Sequence, residues 1–142
     1  MADQTFETHE GANESFSTLR ESPDHRLMLV FVTAGWCSRC DIHMPTLIGT
    51  DAAYSPDGLF TAVVIYESRA YGPPYGRDAA NFRRAYGLDL PVFADTEATL
   101  TGYFEQLEMP MVLVIDLRTM ELLYKDNVWA PEPVAMVIDA AL

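Results

Sequence analysis

The sequence predicts an α/β layer structure, and three observations predict it. Continuous apolar runs recur along the chain, helix-like stretches separate them, and the last two runs are joined by a short link. Runs that do not alternate polar and apolar residues suit strands covered on both faces by helices. A chain of 142 residues, 49% of them hydrophobic, is long enough to bury a core without a covalent staple.

Taken in order, the first stretch is MADQTFETHEGANES. It has no basic region and no apolar region, the first Lys or Arg being Arg20. No signal peptide is therefore expected in this chain, and residues 1–12 are expected to form an extension or an edge strand. Asn13 to Glu21 reads as a short helix. RLMLVFVT, from Arg26 to Thr33, is the first buried strand. A helix from Ser38 to Tyr54 follows it directly. SPDG is a turn signal ahead of the second strand, LFTAVVIYE, from Leu59 to Glu67.

Arg77 to Tyr86 and Thr96 to Leu107 read as helices, the latter capped by Thr96, with PVFAD between them as a minor strand. MVLVID, from Met111 to Asp116, and ELLYKD, from Glu121 to Asp126, are joined by LRTM. So short a link predicts an antiparallel hairpin. Pro131 opens a last helix, Glu132 to Leu142. No repeat, linker or second domain is expected.

Charge narrows the function. With 9 basic against 21 acidic residues the net charge is −12. A nucleic-acid binder would be expected to show a basic patch, and an anionic membrane surface would repel this chain. No apolar run is long enough to span a bilayer.

Both cysteines lie in GWCSRCDIHMP, Gly35 to Pro45, where a buried strand hands over to a helix. A thiolate at Cys37 would be stabilised there by unpaired N–H groups and by the peptide dipoles, with Arg39 adding a positive charge. The spacing also brings the two Cα atoms within reach of a disulfide. As a static brace so small a ring contributes only about 2 kcal/mol, against about 4.7 kcal/mol for a 100-residue loop. Lowering a thiol pKa from about 8.5 to about 7 speeds attack only about 3-fold, because nucleophilicity falls as thiolate fraction rises. Its larger effects are on leaving-group quality and redox poise. Cys37 at the helix start is therefore the expected nucleophile. Cys40, one turn inside with Met44, Leu47 and Ile48 toward the core, is expected to resolve the mixed disulfide. Pro45 falls within the helix and is expected to kink it. Pro110 is either an ordinary first strand residue or follows a cis peptide at Met109.

The order of strand, WCSRC, helix with Pro45, strand, helix, MP and hairpin resembles the thioredoxin superfamily over residues 24–142. WCSRCDIHMP, with the stretch NFRRAYGLDLPVFADTEATLTGYFEQLEMPMVLVID, is most similar to the TlpA/ResA-like bacterial thiol-disulfide oxidoreductases, relatives of the peroxiredoxins. The resemblance implies a single thioredoxin-like domain over residues 1–142. Its central mixed sheet would be flanked by helices, with a TlpA-type insertion before the cis-proline strand. It implies attack by Cys37, resolution by Cys40, shielding by Trp36 and a cis Met109–Pro110 bond. Ser38, Arg39 and His43 would help shape the site. No cofactor beyond the Cys37–Cys40 disulfide and no bound metal is implied. The expected partners are protein thiols or disulfides and a redox partner, for a monomer working outside the cytoplasm.

Two positions depart from the pattern. Phe31 stands where thioredoxins carry a buried Asp, and His43 stands where TlpA-like proteins usually have Glu. His43 is then a replacement base, a charge favouring thiolate, or a solvated helix histidine. VTAGWC lacks the proline and threonine arrangement of peroxiredoxins, which disfavours peroxidase chemistry. The leading expectation is a thiol-disulfide oxidoreductase working as a reductase. The alternatives are a Cu or Zn carrier using Cys37, Cys40 and His43, at C-x2-C-x2-H spacing, and an interaction module with incidental cysteines. The loop YGPPYGR, Tyr71 to Arg77, is a candidate partner contact or an ordinary surface loop.

Overall fold

The computed structural model describes residues 1–142. Its frame is set by β3 (Leu27–Thr33), in which every residue is buried. Leu27, Leu29 and Phe31 face one core with Leu47, Phe82 and Ile138. Met28, Val30 and Val32 face a second core with Phe16, Leu19 and Leu100. A strand packed on both faces has no polar side to present, which is why its sequence does not alternate.

Around β3 runs a seven-stranded mixed sheet in the order β2-β1-β5-β4-β3-β6-β7. β4 (Leu59–Ile65) pairs parallel to β3 across the helix α2 (Met44–Tyr54). β5 (Val92–Ala94) continues the parallel part after α3 (Gly76–Ala85). β6 (Met111–Asp116) runs antiparallel to β3 on its other side, and β7 (Glu121–Asp126) forms the expected hairpin with β6. α4 (Pro131–Ala141) closes the chain, with Pro131 in its first turn.

The N-terminal segment enters the sheet more deeply than expected. β1 (Thr5–Thr8) pairs antiparallel to β5, and β2 (Asn13–Ser15) is the edge. The helix expected from Asn13 therefore starts later, as α1 (Phe16–Glu21). Its N-cap is Ser15, whose hydroxyl accepts the Thr18 N–H at 3.2 Å.

Other readings are corrected too. The helix expected from Ser38 is a turn, then a 3-10 segment at Cys40–His43, then α2. Pro45 consequently lies in the first turn of α2, where no N–H is needed, and the expected mid-helix kink has no place to occur. Ile48 is exposed rather than turned to the core. The helix expected over Thr96–Leu107 shrinks to a 3-10 turn at Thr99–Tyr103. Asp95, not Thr96, organises it. The buried Asp95 carboxylate accepts the Thr99 N–H, the Thr99 hydroxyl and the Leu100 N–H, each at 2.9 Å. The Thr96 hydroxyl instead donates to the Pro74 carbonyl at 2.7 Å.

Removing the Asp95 carboxylate orphans two amides next to buried Leu100. Asp95→Ala is expected to lower the unfolding free energy by about 2 kcal/mol, read as a lower urea midpoint with an unchanged slope.

Candidate active site

β3 ends at Thr33, and the chain turns sharply through Ala34 and Gly35 into the cysteine motif. The Cys37 N–H donates to the Ala34 carbonyl at 3.0 Å, and the Cys40 N–H to the Cys37 carbonyl at 3.3 Å. The two cysteines form a disulfide with a Cα–Cα distance of 5.6 Å, well inside the range such bridges use. They are not equivalent. Cys37 keeps 9% of its surface accessible and Cys40 only 1%. Cys37 sits in the turn ahead of the 3-10 segment rather than in the first turn of an α-helix. The dipole support available to its sulfur is accordingly that of a four-residue segment, weaker than the sequence reading assumed. Ser38 and Arg39 are exposed between the cysteines.

Trp36 is held from the side of β4. Its indole N–H donates to the Glu67 carboxylate at 2.7 Å, and its ring stacks on Tyr71 with centroids 5.9 Å apart. The Gly35 N–H donates to the Glu67 carbonyl at 2.9 Å. Gly35 has to be glycine, because a Cβ there would lie 2.7 Å from the Arg69 backbone nitrogen. The loop containing YGPPYGR is thus fastened to the motif through its first residues. Glu67 escaped the sequence reading. The available signal was an acid at the carboxyl end of a buried parallel strand, where ligand crevices form in open α/β sheets. Burial, and then the neighbouring Glu67 carboxylate, push the Tyr66 phenol above its ordinary value, so Tyr66 stays neutral.

On the opposite side, the Met109–Pro110 peptide bond is cis. Met111 pairs with Val32, so Pro110 comes one step further, at the end of β3 that leads into Cys37. Asn127 fixes this approach by donating to the Gln106 and Glu108 carbonyls, each at 3.0 Å.

Beneath the motif there is no carboxylate at position 31. The Phe31 ring lies 6.3 Å from the half-buried His43 ring and 6.1 Å from Trp129, whose indole N–H donates to the Thr46 hydroxyl at 2.7 Å. Thr33, also missed in the sequence, is fully buried and its hydroxyl has no hydrogen-bond partner. No group of three or more His, Cys, Asp or Glu side chains is placed to hold a metal ion. In this disulfide-bonded state the two sulfurs are bonded to each other and the His43 ring stands against Phe31.

Residues 1–141 match the model of the AhpC/TSA family. The chain belongs to the AhpC/TSA family. Solved structures share its fold at low identity. The exposed lipoprotein thioredoxin Etrx1 of Streptococcus pneumoniae is 19% identical with a TM-score of 0.71, over 98% of this chain and 99% of its own. StoA of Bacillus subtilis is 16% identical with a TM-score of 0.68, over 96% of each chain. A secreted Mycobacterium tuberculosis disulfide oxidoreductase homologous to Escherichia coli DsbE is 13% identical with a TM-score of 0.67, over 96% of this chain and 95% of its own. No curated protein sequence matches. The fold is thioredoxin-like, a mixed sheet flanked by helices. Family membership and the bonded Cys-x-x-Cys pair make the chain a thiol-disulfide oxidoreductase.

The bond from Trp36 to Glu67 is a testable brace. Glu67→Ala is expected to cost about 1.5 kcal/mol of stability and to shift the tryptophan emission to the red as the Trp36 indole gains water.

Proposed function

We propose that this protein reduces disulfides in protein substrates, with Cys37 as nucleophile and Cys40 as resolving thiol. The observation that carries the reading is the unequal exposure of two cysteines already within bonding distance. In the reduced enzyme, the Cys37 thiolate attacks one sulfur of the substrate disulfide. That bond breaks, a mixed disulfide forms, and the first substrate thiolate leaves and takes a proton. The Cys40 thiol then loses its proton and attacks the Cys37 sulfur. The Cys37–Cys40 disulfide closes and the second substrate thiol departs. Two electrons pass from enzyme to substrate, and a separate thiol donor returns them.

Supporting roles follow from placement. Trp36 and the Met109–Pro110 segment flank the turn from opposite sides, while Ser38 and Arg39 form its exposed rim. His43 shares the 3-10 segment with Cys40, and its imidazole is the group we assign to take the Cys40 proton where Phe31 replaces an acid. An extracytoplasmic setting is supported by likeness to proteins described as an exposed lipoprotein and a secreted oxidoreductase. No helix is long and apolar enough to cross a membrane.

Cys37→Ser is expected to reduce insulin-disulfide reduction to the uncatalysed background. Cys40→Ser should accumulate the mixed disulfide, visible as a mass increase that dithiothreitol reverses. A reduction potential near about −270 mV or lower agrees with a reductant, whereas one near about −120 mV would reverse the proposed direction and keep the chemistry.

A further inference from the structure

A cavity of about 480 Å³ lies between the end of β4, α3 and the residues on either side of Cys37, namely Trp36 and Ser38. Its volume falls within the roughly 300–1,000 Å³ of small-ligand sites. Trp36, Ile65 and Phe82 give it an apolar wall, while Ser38, Arg69 and Asn81 supply polar groups. The carboxylates nearby are turned to other partners. Glu67 accepts the Trp36 indole N–H, and Asp78, the acid in the cavity wall, accepts the Tyr75 N–H at 2.8 Å. The donors are less committed. Arg69 makes no ion pair, and Asn81 uses its carbonyl on Arg84 at 3.4 Å, which leaves its amide NH₂ free. The Arg69 backbone lies close against Gly35, so the exposed Arg69 side chain is rooted next to the cysteine motif.

We propose that this cavity is a subsite for a carboxylate carried beside the substrate's disulfide, with Arg69 as its anchor. The proposal rests on the disulfide-exchange reading and names the substrate class it favours. The chain's net charge of −12 repels anions at long range, so any preference for them has to arise locally. A guanidinium in a half-open cleft supplies it by a charge-assisted hydrogen bond, and the apolar wall takes the carbon skeleton. The carboxylate comes either from an acidic residue next to the substrate cysteine or from a low-molecular-weight disulfide.

The test compares reduced wild-type protein, Arg69→Gln, Arg69→Lys and Arg39→Gln on paired substrates. One pair is 3,3′-dithiodipropionate and the neutral hydroxyethyl disulfide. The other is a pair of disulfide-linked peptide dimers with Glu or Gln next to cysteine. The readout is the ratio of kcat/KM within each pair. The anionic-to-neutral ratio is expected to fall roughly fivefold in Arg69→Gln, to be largely kept in Arg69→Lys, and to fall less in Arg39→Gln. A fall in the peptide pair alone assigns the carboxylate to a protein segment, and a fall in the small pair alone assigns it to a low-molecular-weight disulfide. An unchanged ratio in Arg69→Gln, or an equal fall in Arg39→Gln, overturns the subsite while hydroxyethyl disulfide turnover upholds exchange. If hydroxyethyl disulfide is not consumed at all, the exchange reading falls and the subsite with it.

Discussion

Burial of β3 on both faces is the constraint from which the site follows. A strand packed between two cores cannot slide or twist without exposing one of them, so its last residue is a fixed point. The cysteine turn begins four residues later and inherits that rigidity through the amide bonds of Cys37 and Cys40. β4 lies on one side of β3 and β6 on the other, so whatever follows β4 and precedes β6 is delivered to the same end of the sheet. Glu67 and Pro110 come by this route to the end of β3 that leads into the cysteine motif, from opposite flanks.

The two flanks do different physical work. On the β4 side the contact is polar and specific, with a carboxylate fixing an indole and a glycine allowing two backbones to meet. On the β6 side Asn127 holds the carbonyls of the approaching loop. Below, the aromatic series His43, Phe31 and Trp129 fills the space with rings. This layer carries no carboxylate at position 31, and the buried Thr33 hydroxyl beside it in the strand has no hydrogen-bond partner.

What could be read in the sequence was local or strongly periodic. β3, β4, β6 and β7 were legible because each is a long apolar or half-apolar run with a turn beside it, and the Cys-x-x-Cys pair because its chemistry lies in its spacing. β1 was not legible as an inner strand, since only Phe6 of its four residues is buried. The Thr96 region misled because side-chain capping by Asp95 competes with helix propagation. Glu67, Thr33 and Asn127 were invisible for another reason. Their importance depends on what lies across from them, which spacing along one chain does not encode.

The first eight residues bridge more of the molecule than their length suggests. The Met1 ammonium donates to the Met120 carbonyl at 2.7 Å in the turn between β6 and β7. At the other end the Glu7 carboxylate accepts the Gly76 N–H at the start of α3. In mechanical terms this segment is a strap from one flank of the sheet to the other. It ties the β6–β7 turn to the helix that walls the cavity, so two elements on opposite sides of the central strands share one anchor.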